Sequence, residues 1–69
     1  MNNELWLNKA IYHEDCIIDA ISEYTGIAQV KVEESAMYYR CFFDECIYEV
    51  ETTKMEFENY LVGLEKVRR

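Results

Sequence analysis

The chain contains no proline and only two glycines, Gly26 and Gly63. It therefore lacks the residues that make flexible linkers or divide a chain into separate units. No apolar run approaches the length of a membrane span, and the opening MNNELWLNKAIY has no charged segment leading into an apolar one. These absences predict a single domain over residues 1–69, cytoplasmic and away from membranes. Positive charge is scarce as well: 7 Lys and Arg face 14 Asp and Glu, a formal net charge of -7. A chain so acidic is repelled by phosphate backbones, which argues against nucleic acid as a partner. The one basic cluster, Lys66, Arg68 and Arg69, stands where cations complement the C-terminal end of a helix dipole.

Histidine occurs once, as His13, and cysteine three times, at Cys16, Cys41 and Cys46, with no CxxC pair. An odd count argues against a disulfide framework and for reduced thiols. A Cys3His zinc site can be drawn from these four residues. Structural zinc ligands, however, come in closely spaced pairs on a knuckle, whereas Cys41 lies inside an apolar strand pattern and belongs to a core. Cys16 and His13 would make a nucleophile and base at a helix N-terminus, but no third group is evident to orient the base. His13 is more simply an N-cap or a surface residue. The acids lack EF-hand spacing and the glycines form no phosphate loop, so no cofactor is implied and the chain is expected not to be an enzyme.

What the chain has is apolar and aromatic content, at 51% and 14% of its 69 residues. A domain of this length buries only about 60% of its unfolded surface, so its core is marginal without help, and association is the simplest help. In ELWLNKAIY, Leu5, Leu7 and Ile11 alternate with Trp6, Asn8, Ala10 and Tyr12, which is the period of a strand. HEDCIIDAISEYTG changes period: Ile17, Ala20, Ile21 and Tyr24 fall on one helical stripe, with Glu14 and Asp15 in the first turn and Gly26 as the C′ residue. IAQVKVEE and AMYYRCFF then alternate as a hairpin about a polar turn over Glu33–Ala36. DECIYEVE is expected as loop and strand, although the front of a longer helix is an alternative. Thr53 followed by Glu56 has the capping-box form and places the start of the last helix near Thr53, with Phe57, Tyr60, Leu61 and Leu64 as its buried stripe.

The expected fold is therefore α/β of the α+β kind, β-α-β-β-α, a small sheet with two helices on one face. In the third strand Tyr39, Cys41 and Phe43 point one way while Tyr38, Arg40 and Phe42 point the other. One layer of helices cannot cover both faces. The uncovered one, with Trp6 and Tyr12 added from the first strand, is expected to bind a partner or a second copy in a homodimer.

Two segments resemble a known family. AIYHEDCIIDAI, Ala10–Ile21, resembles the pattern Ile-Tyr-Ser-x-Glu-Ala-Ile-x-x-Ala that opens the HxsD-like small proteins of His-Xaa-Ser peptide-modification systems. EFENYLVGLEKVR, Glu56–Arg68, resembles their closing pattern Phe-x-Asn-(Glu/Tyr)-Leu-Leu followed by a basic residue. Ile11, Tyr12, Ile17 and Ala20 match in the first, and Phe57, Asn59 and Leu61 in the second. His13 replaces the usual Ser, Cys16 replaces Ala, Gly63 stands where an acid is common, and Arg68 is out of register by one. The resemblance implies a non-catalytic accessory encoded with a radical-SAM enzyme, binding that enzyme or a basic precursor peptide. On this reading Asn59 lies beside the buried stripe and bonds an approaching backbone; alternatively it bonds a loop of its own domain. A small acidic regulatory or inhibitor protein, of phage or antitoxin type, is the second function class.

Overall fold

The computed structural model describes residues 2–68. Five elements follow one another: β1 (Glu4–Asn8), α1 (Glu14–Glu23), β2 (Gln29–Glu34), β3 (Tyr38–Asp44) and α2 (Val50–Val67). The fold is α+β in the expected order. The sheet runs β1-β3-β2 with both pairings antiparallel, so β1 and β2 are parallel to each other on either side of β3.

Alternation along the strands sends one set of side chains to a common face. Leu7, Cys41 and Phe43 are fully or almost fully buried there, with Leu5, Val30, Val32 and Tyr39 half-buried around them. The helices close over this face with Cys16, Ile17 and Ala20 from α1 and Phe57 and Leu61 from α2. Phe57 lies at the centre, edge-on to Phe43 at 5.1 Å and to Tyr24 at 5.3 Å between ring centroids. Burying each such side chain contributes roughly 1.5–3 kcal/mol, which makes this cluster the main source of stability.

Four boundaries differ from the sequence expectation, each for a local reason. β1 stops at Asn8 instead of continuing to Tyr12, because the Asn8 carbonyl accepts from the N–H groups of both Ile11 and Tyr12 while its side-chain Oδ1 accepts from Ala10. The chain turns there and Tyr12 leaves the sheet. Gly26 is not a left-handed C′ residue: α1 ends at Glu23 with Tyr24 as its C-cap, and neither glycine has a positive φ. The Tyr24 carbonyl instead accepts from Ile27 and Ala28 as the chain enters β2. The hairpin turn is displaced slightly, β2 running through Glu34, with Ser35 donating from its N–H to the Tyr38 carbonyl and accepting from the Tyr38 N–H at Oγ.

The largest correction concerns α2, which starts at Val50 with Glu49 as N-cap, three residues before the apparent capping box. Thr53 is buried within the first turns. Its hydroxyl donates to the Glu49 carbonyl at 2.8 Å, a bond a helix-interior threonine makes four residues back. Asp44–Glu51 is therefore the end of β3, a loop and the beginning of the helix, with no further strand. The loop turns sharply at Glu45, which has φ 52, and Ile47 then donates to the Ile27 carbonyl.

Candidate functional site

The strand period that fills the core also populates the sheet's other face. Register places Trp6 of β1, Arg40 of β3 and Glu33 of β2 in one row, and Glu4, Phe42 and Lys31 in the next. Tyr38, opposite Asn8, completes the surface. Arg40 occupies its middle: its guanidinium carbon lies 5.4 Å from the Trp6 ring and 5.6 Å from the Phe42 ring, and Nη2 donates to Glu33 Oε1 at 2.9 Å. Trp6 meets Tyr38 edge-on at 5.5 Å, and its indole N–H donates to Glu4 Oε1 at 3.0 Å.

This arrangement has a physical logic. A guanidinium over an aromatic face is worth about 0.5–1 kcal/mol at an exposed site, and here one cation serves two rings while a carboxylate holds it in place. The aromatic side chains are thus positioned before anything binds. Trp6 remains 53% exposed and Tyr38 36%, because both helices lie on the other side of the sheet. Tryptophan, tyrosine and arginine are the residue types that dominate protein interfaces.

Trp6, Tyr38, Arg40 and Phe42 therefore come together as expected; Tyr12 and Asn59 do not join them. Once the chain turns at Asn8, Tyr12 packs against the core, and its hydroxyl donates to Glu58 Oε2 of α2 at 3.2 Å. Burial first, then the Glu58 charge, raises its pKa and keeps the phenol protonated. Asn59 is two positions from Phe57, about 200° around the helix at 3.6 residues per turn, and so lies on the solvent side of α2 rather than beside the buried stripe. It makes no side-chain hydrogen bond among the described residues, which removes the alternative of a bond to its own domain. Tyr60, expected in the buried stripe, is 38% exposed.

A second cluster forms where α1 begins. His13 is the N-cap but makes no side-chain cap. Glu65, from the last turns of α2, serves that end instead: its carboxylate accepts from the His13 main-chain N–H at 2.7 Å and from the His13 ring Nδ1 at 2.8 Å. Glu65 is the orienting group not evident in the sequence, because 52 residues separate it from His13. The Cys16 thiol is shifted away from the range of a reactive thiolate. Burial, with a hydrogen bond to Glu65, pushes its thiol pKa up, whereas a reactive thiolate needs a lowered one. Cys41 is more extreme, its thiol pushed up to about 12 by burial. Arg68 pairs with Asp15 at 3.2 Å and Lys66 lies in the last turn of α2, while Arg69 of the basic cluster falls outside the described residues.

Among the described residues, no group of three or more His, Cys, Asp or Glu side chains is placed to hold a metal ion. No described helix is long and apolar enough to cross a membrane. A shallow groove at the start of α2 is lined by Tyr48, Glu49, Thr52 and Glu56, and it gathers none of the residues expected to bind a partner. No protein-family model matches the chain, and no curated protein or solved structure shows significant similarity to it.

Proposed function

We propose that this chain is a non-catalytic cytoplasmic accessory protein that docks a partner protein or peptide on the outer face of its sheet. The observation that carries this reading is the set of Trp6, Tyr38 and Phe42 held around Arg40 on a face that neither helix covers. Burying such rings against a partner releases ordered water at little cost in side-chain entropy, since Arg40 already restricts them. The partner class comes from the resemblance of Ala10–Ile21 and Glu56–Arg68 to the HxsD-like proteins: a radical-SAM enzyme, or the ribosomally made precursor peptide that it modifies. The net charge of -7 supports a basic peptide, which the field of the chain would attract.

Trp6 is the only tryptophan and lies within the proposed surface, so its fluorescence reports binding directly. Titrating the purified chain with a radical-SAM enzyme of a His-Xaa-Ser system, and separately with that system's precursor peptide, is expected to shift Trp6 emission to the blue. Phe42→Ala is expected to weaken that binding by about 2 kcal/mol or more, as the loss of a central interface aromatic does. Binding unaffected by Phe42→Ala and Tyr38→Ala would remove the outer face as the docking surface. Peptide modification running equally well without the chain would remove the accessory role.

A further inference from the structure

The two edges of the sheet are finished very differently. In the β1–β3 ladder, Lys9 donates to Met37 and Phe43 donates to Asn3, so odd-numbered residues of β1 bond to β3 while Glu4, Trp6 and Asn8 turn their main-chain groups outward. Half of those six groups are taken, while both main-chain groups of Trp6 have no partner among the described residues. Glu4 N–H is taken by Asn2 Oδ1, Glu4 C=O by Lys54 Nζ, and Asn8 C=O by the turn that follows. In the β2–β3 ladder, the bond from Ser35 to Tyr38 makes the odd residues of β2 face β3, leaving Val30, Val32 and Glu34 with their N–H and C=O groups outward. None of these groups has a partner among the described residues. An uncovered edge of this kind is a template for another strand.

Charge selects the strand that fits. Lys31 and Glu33 flank Val32 on the outer face, and Lys31 has no ion pair among the described residues. Glu33 bonds Arg40 through Oε1 alone. Two copies of β2 pairing antiparallel about a two-fold axis have few registers that preserve the outward hydrogen bonds. Centring on Lys31 opposes lysine to lysine, and centring on Glu33 opposes glutamate to glutamate. Centring on Val32 sets Lys31 opposite Glu33 of the second copy twice over, in the closely spaced non-hydrogen-bonded positions where opposite charges stabilise most. The same register pairs Val32 with Val32 and Val30 with Glu34, making about six new main-chain hydrogen bonds.

We infer that β2 is the self-association edge of this protein, pairing antiparallel with β2 of a second copy about Val32 to give one continuous sheet across a symmetric dimer. The axis of such a pair is perpendicular to the sheet, so both aromatic outer faces look the same way and form one surface. The interface uses none of Trp6, Tyr38, Arg40 or Phe42 and stands apart from the proposed partner surface. Its small area makes it a reversible, concentration-dependent contact rather than a permanent one.

Sedimentation equilibrium of the native chain up to about 0.5 mM is expected to show a monomer–dimer equilibrium, as small interfaces give. Lys31→Glu and Glu33→Lys should each weaken the dimer at least about tenfold by opposing like charges. An equimolar mixture of the two variants should restore dimers, because each then supplies the charge that the other lacks. Val32→Pro, which removes an outward N–H and leaves every β2–β3 ladder bond in place, should abolish the dimer while circular dichroism shows the fold retained. Restoration on mixing separates a register contact from mere destabilisation. A native chain that stays monomeric over this range would overturn the proposal, as would dimers indifferent to all three substitutions.

Discussion

Glu65 shows how much one side chain can organise. Its carboxylate caps the start of α1 from the far end of α2 and so joins the two helices through polar groups beside their apolar contact. Burial alone would raise its pKa, but the hydrogen bonds from His13 and Cys16 outweigh that and hold it below the usual glutamate range. A carboxylate whose folded pKa is depressed gives stability that is present above the unfolded value and is lost as pH falls through the folded one. Unfolding in urea should therefore become easier below about pH 4.3, the ordinary glutamate value. Glu65→Gln should flatten that acid limb and cost about 0.5–2 kcal/mol at neutral pH, the range for losing a helix cap. An acid limb identical in native and Glu65→Gln proteins would show that the capping charge contributes nothing. In the same cluster, burial first and then the carboxylate that orients the histidine raise the Cys16 thiol pKa.

Among the elements, α2 is the one that local signals misplace. Thr53 and Glu56 have the spacing of a capping box, yet the Thr53 hydroxyl turns back to the Glu49 carbonyl and its side chain enters the core. Capping and back-bonding draw on the same residue types, so spacing alone does not distinguish them. Val50–Thr52 therefore extend a helix that reaches 18 residues. Within it Gly63 is unexplained by packing: a Cβ built there meets nothing within 4 Å, and its φ is helical. Gly63→Ala is expected to stabilise the protein by about 1 kcal/mol, the difference in helix propensity. On a domain this small that raises Tm by roughly 4–8 °C, which a thermal melt followed by circular dichroism will read. An unchanged or lowered Tm would mean that α2 is not a regular helix at this position.

For the molecule as a whole, the consequence of the fold is a division of aromatic residues between two faces of one thin sheet. Phe57 and Phe42 test that division directly. Phe57 is fully buried between Phe43 and Tyr24, so Phe57→Ala should cost about 3–5 kcal/mol, a large part of the total stability of a chain this short. Phe42 is half-buried on the outer face beneath Arg40, so Phe42→Ala should cost only about 1 kcal/mol, mostly the lost cation–π contact. Urea titration of both variants measures the difference. Equal losses in monomeric protein would place Phe42 in the core and end the reading of an open face.

The order β-α-β-β-α, the burial of Ile17 and Ala20 in α1 and of Cys41 and Phe43 in β3, and the pairing of Trp6 with Tyr38, Arg40 and Phe42 on one side all follow from period 2 and period 3.6 in the sequence. These signals are local and need no partner to be read. Tyr12 and Asn59 depart from their expected places for different reasons. Tyr12 continues the strand alternation, and only the hydrogen bonds collected by Asn8 end the strand before it. Asn59 is placed by resemblance, whereas its spacing of two from Phe57 already turns it about 200° away from the buried stripe. Glu65 at His13 and Lys54 at the Glu4 carbonyl, which helps to close half of the β1 edge while β2 stays open, arise from contacts across most of the chain. Side-chain chemistry determined which elements form and which faces are apolar, whereas only their mutual packing decided which polar groups meet and which are left for a partner.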